Sequence, residues 1–273
     1  MLTRVEAISY QGALLNLPLD DLDNGFLLEE IGGLDPVKAT ITSSSFAQLD
    51  GSQFQSARRE DRNITLQIAL EPDWAVEDVR SLRRRLYNYF MPKTSVGLRF
   101  YSTEDSPVWI NGRVESFETA LFTAEPVVNI SIMCFDPDFF DPTTVLTSGN
   151  TTSGTTETQF TYTGSVETGI LFTLRPNRSL TAFSIYHRDP SGTVRQLDFN
   201  GSLANADVLK ISTIAGNKFA RLTRSSVDSS FLYGITPQSN WIELQPGDNW
   251  IRVYATGAAI PFDIEYTKRY GGL

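Results

Sequence analysis

The chain has 273 residues, 41% of them hydrophobic and 20% charged, with a formal net charge of −9. That composition is typical of a folded protein. The acidic balance excludes a surface built to hold nucleic acid or anionic lipid, which needs clustered Lys and Arg. No apolar run reaches the ~20 residues of a membrane-spanning helix. The opening MLTRVEAISYQG lacks the apolar stretch of a secretory signal, so synthesis and folding in the cytoplasm are expected.

Along the chain the pattern is mostly that of strands. Residues 37–41 (VKATI) alternate briefly, and residues 53–62 (QFQSARREDR) read as a polar loop. In residues 64–70, Ile64, Leu66, Ile68 and Leu70 share one face against Thr65, Gln67 and Ala69, the period of a half-buried strand. Residues 74–90 break the alternation. Val76, Val79, Leu82, Leu86 and Phe90 recur at spacings of three and four, which predicts an amphipathic helix with Asp73 as N-cap and Pro92 as its stop. Strands return at 96–101 and 108–110, the latter followed by Asn111-Gly112, a dipeptide favoured in two-residue hairpin turns. Val128, Ile130, Ile132 and Cys134 then line one face of a strand over 127–135.

A boundary follows. Residues 136–142 (DPDFFDP) end that strand, because proline cannot donate to a ladder. Residues 143–158 are nearly all Thr, Ser and Gly and read as a linker or loop, with an edge strand as the rival reading. The chain therefore divides into an N-terminal β domain over 1–142, a connection over 143–158 and a C-terminal domain over 159–273. In the last part, short strands are expected at 159–163, 169–175, 183–187, 194–199, 207–212, 218–222, 240–244, 249–255 and 262–266. Turn signals such as Asp189-Pro190-Ser191-Gly192 and Gln245-Pro246-Gly247-Asp248 separate them. That punctuation suggests a β-sandwich of the jelly-roll kind. The fold class is thus mainly β, in two domains, with one helix.

Few residues can carry chemistry. Cys134 is the one cysteine and His187 the one histidine, so a thiol or hydroxyl nucleophile would have to recruit His187 as its base. His187 stands beside a turn and reads as a surface residue. Two such ligands cannot hold zinc. Asp136, Asp138 and Asp141 lack the spacing of a calcium loop and read as turn-capping residues. No catalytic, cofactor or metal site is expected, and the chain is expected not to be an enzyme. A glycosidase needs only two carboxylates, but two small β domains offer no evident cleft. Glycan binding without chemistry remains as an alternative, with Trp241 and Trp250 as candidate contacts, although each ring is equally explained by core packing. The clusters Arg58, Arg59, Arg62 and Arg83, Arg84, Arg85 read as solvated faces.

Several stretches carry a family resemblance. They are GLDPVKATITSSSFAQLDGSQFQSARREDRNITLQI (33–68), FDPDFFDP (135–142), NADVLKISTIAGNKFARL (205–222), NWIELQPGDNWIRVYA (240–255) and the ending IEYTKRYGGL. Together they resemble the distal tail proteins of long-tailed bacteriophages (siphophages). The resemblance implies a structural virion protein at the tail tip whose copies form a ring, typically a hexamer. First domains would close the ring, and galectin-like second domains would lie outside it. It also implies as partners the tail tube protein, the tail hub or tip protein, and host-binding proteins or surface glycans. A repeated head-to-tail patch closes a ring, and unpaired sheet edges recruit other chains. Gln53, Gln55, Arg58, Arg59 and Arg62 are the candidate ring or tube contacts.

Overall fold

The computed structural model describes residues 1–19, 25–46, 50–103, 106–120 and 126–273. The chain forms two compact units: Met1–Pro142 together with Tyr270–Leu273, and Thr143–Arg269.

The first unit contains β1 (Leu2–Ser9), β2 (Leu14–Pro18), β3 (Phe26–Gly32), β4 (Ala39–Ser44), β5 (Gln53–Arg59), β6 (Arg62–Leu70), α1 (Val79–Phe90), β7 (Ser95–Ser102), β8 (Val108–Thr119) and β9 (Val127–Cys134). Its antiparallel sheet runs β2-β1-β7-β8-β9-β6-β3, while β4 and β5 form a separate two-stranded sheet. Register follows from alternation. Ile64 lies opposite Ile132, Leu66 opposite Ile130 and Ile68 opposite Val128, so these inward residues of β6 meet inward residues of β9, and all six are buried. A slip of one residue would turn both apolar rows to solvent. Leu82, Leu86 and Phe90 of α1 complete this core, each burial contributing about 1.5–3 kcal/mol.

Three local expectations are corrected. The helix begins at Val79, with Asp78 as its N-cap accepting a hydrogen bond from the Ser81 N–H. Asp73 instead closes a turn through the Ala75 N–H, which leaves Trp74 and Val76 exposed. Residues 53–62 are not a loop: they form β5 and the start of β6. Asn111-Gly112 is not a hairpin turn either, because β8 continues through it, paired with β7 and β9. Glycine stands at 112 because a Cβ there would lie 2.5 Å from Ile132 Cγ2 and 2.8 Å from Cys134 Sγ.

In the second unit the Thr/Ser-rich connection is partly strand. β10 (Phe139–Asn150) starts in the first unit and continues through residues 143–150. Threonine suits a pleated strand, Val145 packs on the core, and a Cβ at Gly149 would meet the Phe262 ring at 2.6 Å. The remaining strands are β11 (Thr158–Tyr162), β12 (Thr168–Gly169), β13 (Leu171–Leu174), β14 (Leu180–Arg188), β15 (Val194–Leu203), β16 (Val208–Ser212), β17 (Phe219–Arg224), β18 (Val227–Ser230), β19 (Glu243–Leu244), β20 (Gly247–Tyr254) and β21 (Pro261–Tyr270). One sheet orders β18-β17-β16-β13-β21-β10 and the other β11-β20-β14-β15, with β12 and β19 paired separately. Both sheets feed one core. Its spine is a run of aromatic contacts from Phe262 through Phe172, Phe183 and Phe199 to Phe231. Tyr270–Leu273 then return to the first unit, where the Leu273 N–H donates to the Leu34 carbonyl at 3.1 Å.

Candidate assembly surface

Among the described strands, β4 and β5 pair only with each other. Ile41 lies opposite Ala57 and Phe54 opposite Ser43, with a register shift between Thr42 and Ser43. Residues 41 and 43 share one side of β4, so Ile41, Ala57 and Phe54 line one face. Thr42, Ser56, Thr40 and Arg58 line the other. Neither face is covered: Ile41 is 66% exposed and Phe54 64%. A two-stranded hairpin with an uncovered apolar face is marginally stable alone in water. It therefore has the character of an arm awaiting a surface.

The candidate contacts divide on this arm. Gln53, Gln55 and Arg58 are exposed on β5, and the Gln55 amide donates to Ser44 Oγ at 2.8 Å. Arg59 is half-buried at the arm's base and forms an ion pair with the buried Asp138 carboxylate. Arg62 is not a surface residue, which corrects that expectation. Only 1% of it is exposed. Its Nε donates to the Pro137 carbonyl at 2.6 Å, Nη1 to the Gly33 and Asp35 carbonyls at 2.5 and 2.7 Å, and Nη2 to the Gly271 carbonyl at 2.6 Å. The guanidinium also lies 4.4 Å from the Phe139 ring centroid. Burial holds its pKa below the ordinary value, yet a guanidinium stays charged in proteins. Its planar fork thus joins residues 33–35, the turn at 137 and the returning C-terminus at the root of the arm. The alternation of β6 carried the signal, since position 62 shares the parity of Ile64 and Leu66.

Asp138 is buried against Arg59, and no group of three or more His, Cys, Asp or Glu among the described residues could hold a metal ion. Cys134 is buried, and desolvation pushes its thiol up to about 12. His187 is fully buried rather than at the surface. Asn249 donates through its amide to the Gln245 and Gly247 carbonyls, so its Oδ1 faces His187 Nε2 at 2.9 Å as an acceptor. That fixes the neutral tautomer with the proton on Nε2, and burial lowers the imidazole pKa.

The two candidate glycan contacts have different surroundings. Trp241 precedes β19 and packs on the core, with Lys218 Nζ 5.5 Å from its ring centroid. Trp250 lies on the outward side of β20, the Arg188 guanidinium 4.0 Å from its centroid. Arg188 is itself held by Glu157 at 2.6 Å. On the same sheet Arg252 stacks 4.0 Å from the Tyr186 centroid. Each tryptophan therefore already carries a cation on one ring face.

Comparison with known proteins follows this architecture. Residues 163–270 match the family described as siphovirus-type tail component, C-terminal domain. Among solved structures, the Dit protein of phage SPP1, described as a paradigm of the hub adsorption apparatus in phages infecting Gram-positive bacteria, aligns with a TM-score of 0.69 at 19% identity over 97% of this chain and 98% of that one. Chains from the phage P2 baseplate in its activated conformation align over the same shares at TM-scores of 0.48, with 10% identity in the calcium form and 9% in the strontium form. No curated protein sequence matches. Residues 163–270 thus match the siphovirus-type tail component, C-terminal domain, and the chain shares the fold of the phage SPP1 Dit protein.

Proposed function

We propose that this chain is a non-enzymatic structural protein of a phage tail tip. Copies of it assemble head-to-tail into a closed ring, a hexamer by the family resemblance, which joins the tail tube to the hub and host-adsorption apparatus. The first unit closes the ring and the second decorates it. The observation that carries this reading is the β4–β5 arm, whose Ile41 and Phe54 lie 66% and 64% exposed on an otherwise unsupported hairpin. A monomer gains nothing from holding that face in water, whereas a neighbour that covers it recovers about 25 cal/mol per Å² of apolar area. Gln53, Gln55 and Arg58 are further exposed candidates on the same strand, while Arg59 and Arg62 fix the root. Phage SPP1 Dit, whose fold this chain shares, is described as part of a hub adsorption apparatus, which supports the tail-tip location.

Imaging of tail ends tests the reading. Particles lacking this protein should show tails without a hub, and intact tips in its absence would contradict the proposal. Glycan binding by the second unit is the lesser reading. It draws on Tyr186 and Trp250 sharing one sheet, but the guanidiniums stacked on both rings occupy faces that a sugar would need.

A further inference from the structure

We propose that residues 270–273 are a latch that sets the direction of the β4–β5 arm, so that a subunit can close a ring only once its chain has returned from the second unit. The consequence for closure rests on the ring reading. The latch itself rests on contacts within the first unit, to which Tyr270–Leu273 belong. β4 and β5 pair only with each other, so the hairpin takes its aim from the two chain segments at its root.

Both segments are gripped. The incoming one, residues 33–38, joins β3 to β4. Arg62 Nη1 donates to the Gly33 and Asp35 carbonyls at 2.5 and 2.7 Å, and the Leu273 N–H donates to the Leu34 carbonyl between them at 3.1 Å. Gly272 lies against the next residue. A Cβ there would stand 2.8 Å from Pro36 Cδ, 3.0 Å from Pro36 N and 3.1 Å from the Leu34 carbonyl oxygen, an approach that suits only glycine. The outgoing segment is tied by the Arg59–Asp138 ion pair and by the Glu60 N–H on the Lys38 carbonyl at 2.9 Å. Arg62 also binds the returning chain, through the Gly271 carbonyl at 2.6 Å, and Tyr270 packs on the core of the first unit.

Two agents therefore hold the entry to the arm: a buried guanidinium and the returning chain. Without the second, the Leu34 carbonyl loses the Leu273 N–H, Arg62 loses the Gly271 carbonyl, and Pro36 loses the backbone packed on it. The arm keeps its own ladder but not a fixed direction. A loosely aimed arm must be ordered on docking, which weakens closure without any change in the contact surface. Synthesis adds residues 270–273 only after every strand of the second unit. A first unit that folds early thus has no set arm until the second unit's chain is complete.

Full-length protein with nitroxides at Thr42→Cys on the arm and Asn129→Cys on β9 reports the arm's direction, since both sites are exposed and Cys134 is buried. Dilution into unlabelled protein of the same sequence restricts the distances to those within one copy. Gly272→Val should broaden the distance distribution at least about twofold and raise the concentration at which native mass shows assembly about tenfold. Leu273→Pro, which removes the donor to Leu34, should change both in the same direction. Gly154→Ala, an exposed glycine of the second unit whose Cβ would meet only Thr152 Oγ1, at 3.5 Å, should change neither. Unchanged distances in both latch variants would overturn the latch and leave the ring reading standing. Broader distances with assembly unchanged would overturn the latch's role in closure. A wild type that stays monomeric would contradict the ring reading, while the distances would still decide the latch.

Discussion

Arg62 shows how one side chain can hold several strands of chain in place. Four backbone carbonyls from residues 33, 35, 137 and 271 converge on its guanidinium, and buried acceptors left unmatched cost free energy. Arg62→Ala should destabilise the first unit by about 3–5 kcal/mol, read from a denaturation curve. Arg62→Lys should recover only part of this, because an ammonium cannot reproduce the fork. A loss under 1 kcal/mol for the alanine variant, about the worth of one ordinary hydrogen bond, would contradict the role. His187 makes a second prediction. Burial depresses its folded-state pKa, so the unfolded chain binds a proton that the folded one refuses. Stability is then complete above the unfolded value of about 6.5 and declines as pH falls from there toward the folded pKa. His187→Gln, which keeps a donor toward Asn249, should flatten the difference in melting temperature between pH 7 and pH 5 relative to wild type. Equal pH slopes in the two proteins would refute it. Both residues were legible in the sequence by parity, Arg62 with Ile64 and Leu66, His187 with Phe183 and Ile185. Their polar neighbours in the chain hid this, because a charge run suggests solvent wherever it sits.

The strands were legible where alternation decided them, as in β6 and β9, and obscure where local dipeptides spoke against the ladder. Asn111-Gly112 has hairpin chemistry, yet tertiary packing overrides it because β8 needs a residue without a Cβ against β9. Gly112→Ala should therefore cost about 1–3 kcal/mol, the penalty of overpacking. The reason is that its Cβ would fall 2.9 Å from the Met133 carbonyl oxygen as well as onto Ile132 and Cys134. Unchanged denaturation midpoints would show that β9 yields freely. The helix start was misplaced for a related reason. Asp73 and Asp78 are both good caps, and only the packing of Leu82, Leu86 and Phe90 against the sheet selects the second. The Thr-rich β10 carries almost no hydrophobic signal, so composition alone could not separate strand from linker there.

The first unit runs to Pro142, and the return of Tyr270–Leu273 to it had no signal in composition or period. It means that the C-terminus serves the unit from which the arm projects, through the Gly271 carbonyl on Arg62 and the Leu273 N–H on Leu34. The same holds for assembly. Sequence suggested a contact near Gln53–Arg62, yet only the structure separates the exposed arm from its buried root. Ring closure through an arm on the first unit is checked by the native mass of the purified full-length protein at micromolar concentration. One discrete closed species is expected, six-fold by the family resemblance, giving way to monomer when Ile41 and Phe54 are both changed to Asp. A monomeric wild type, or an assembly that survives the double substitution, would contradict it.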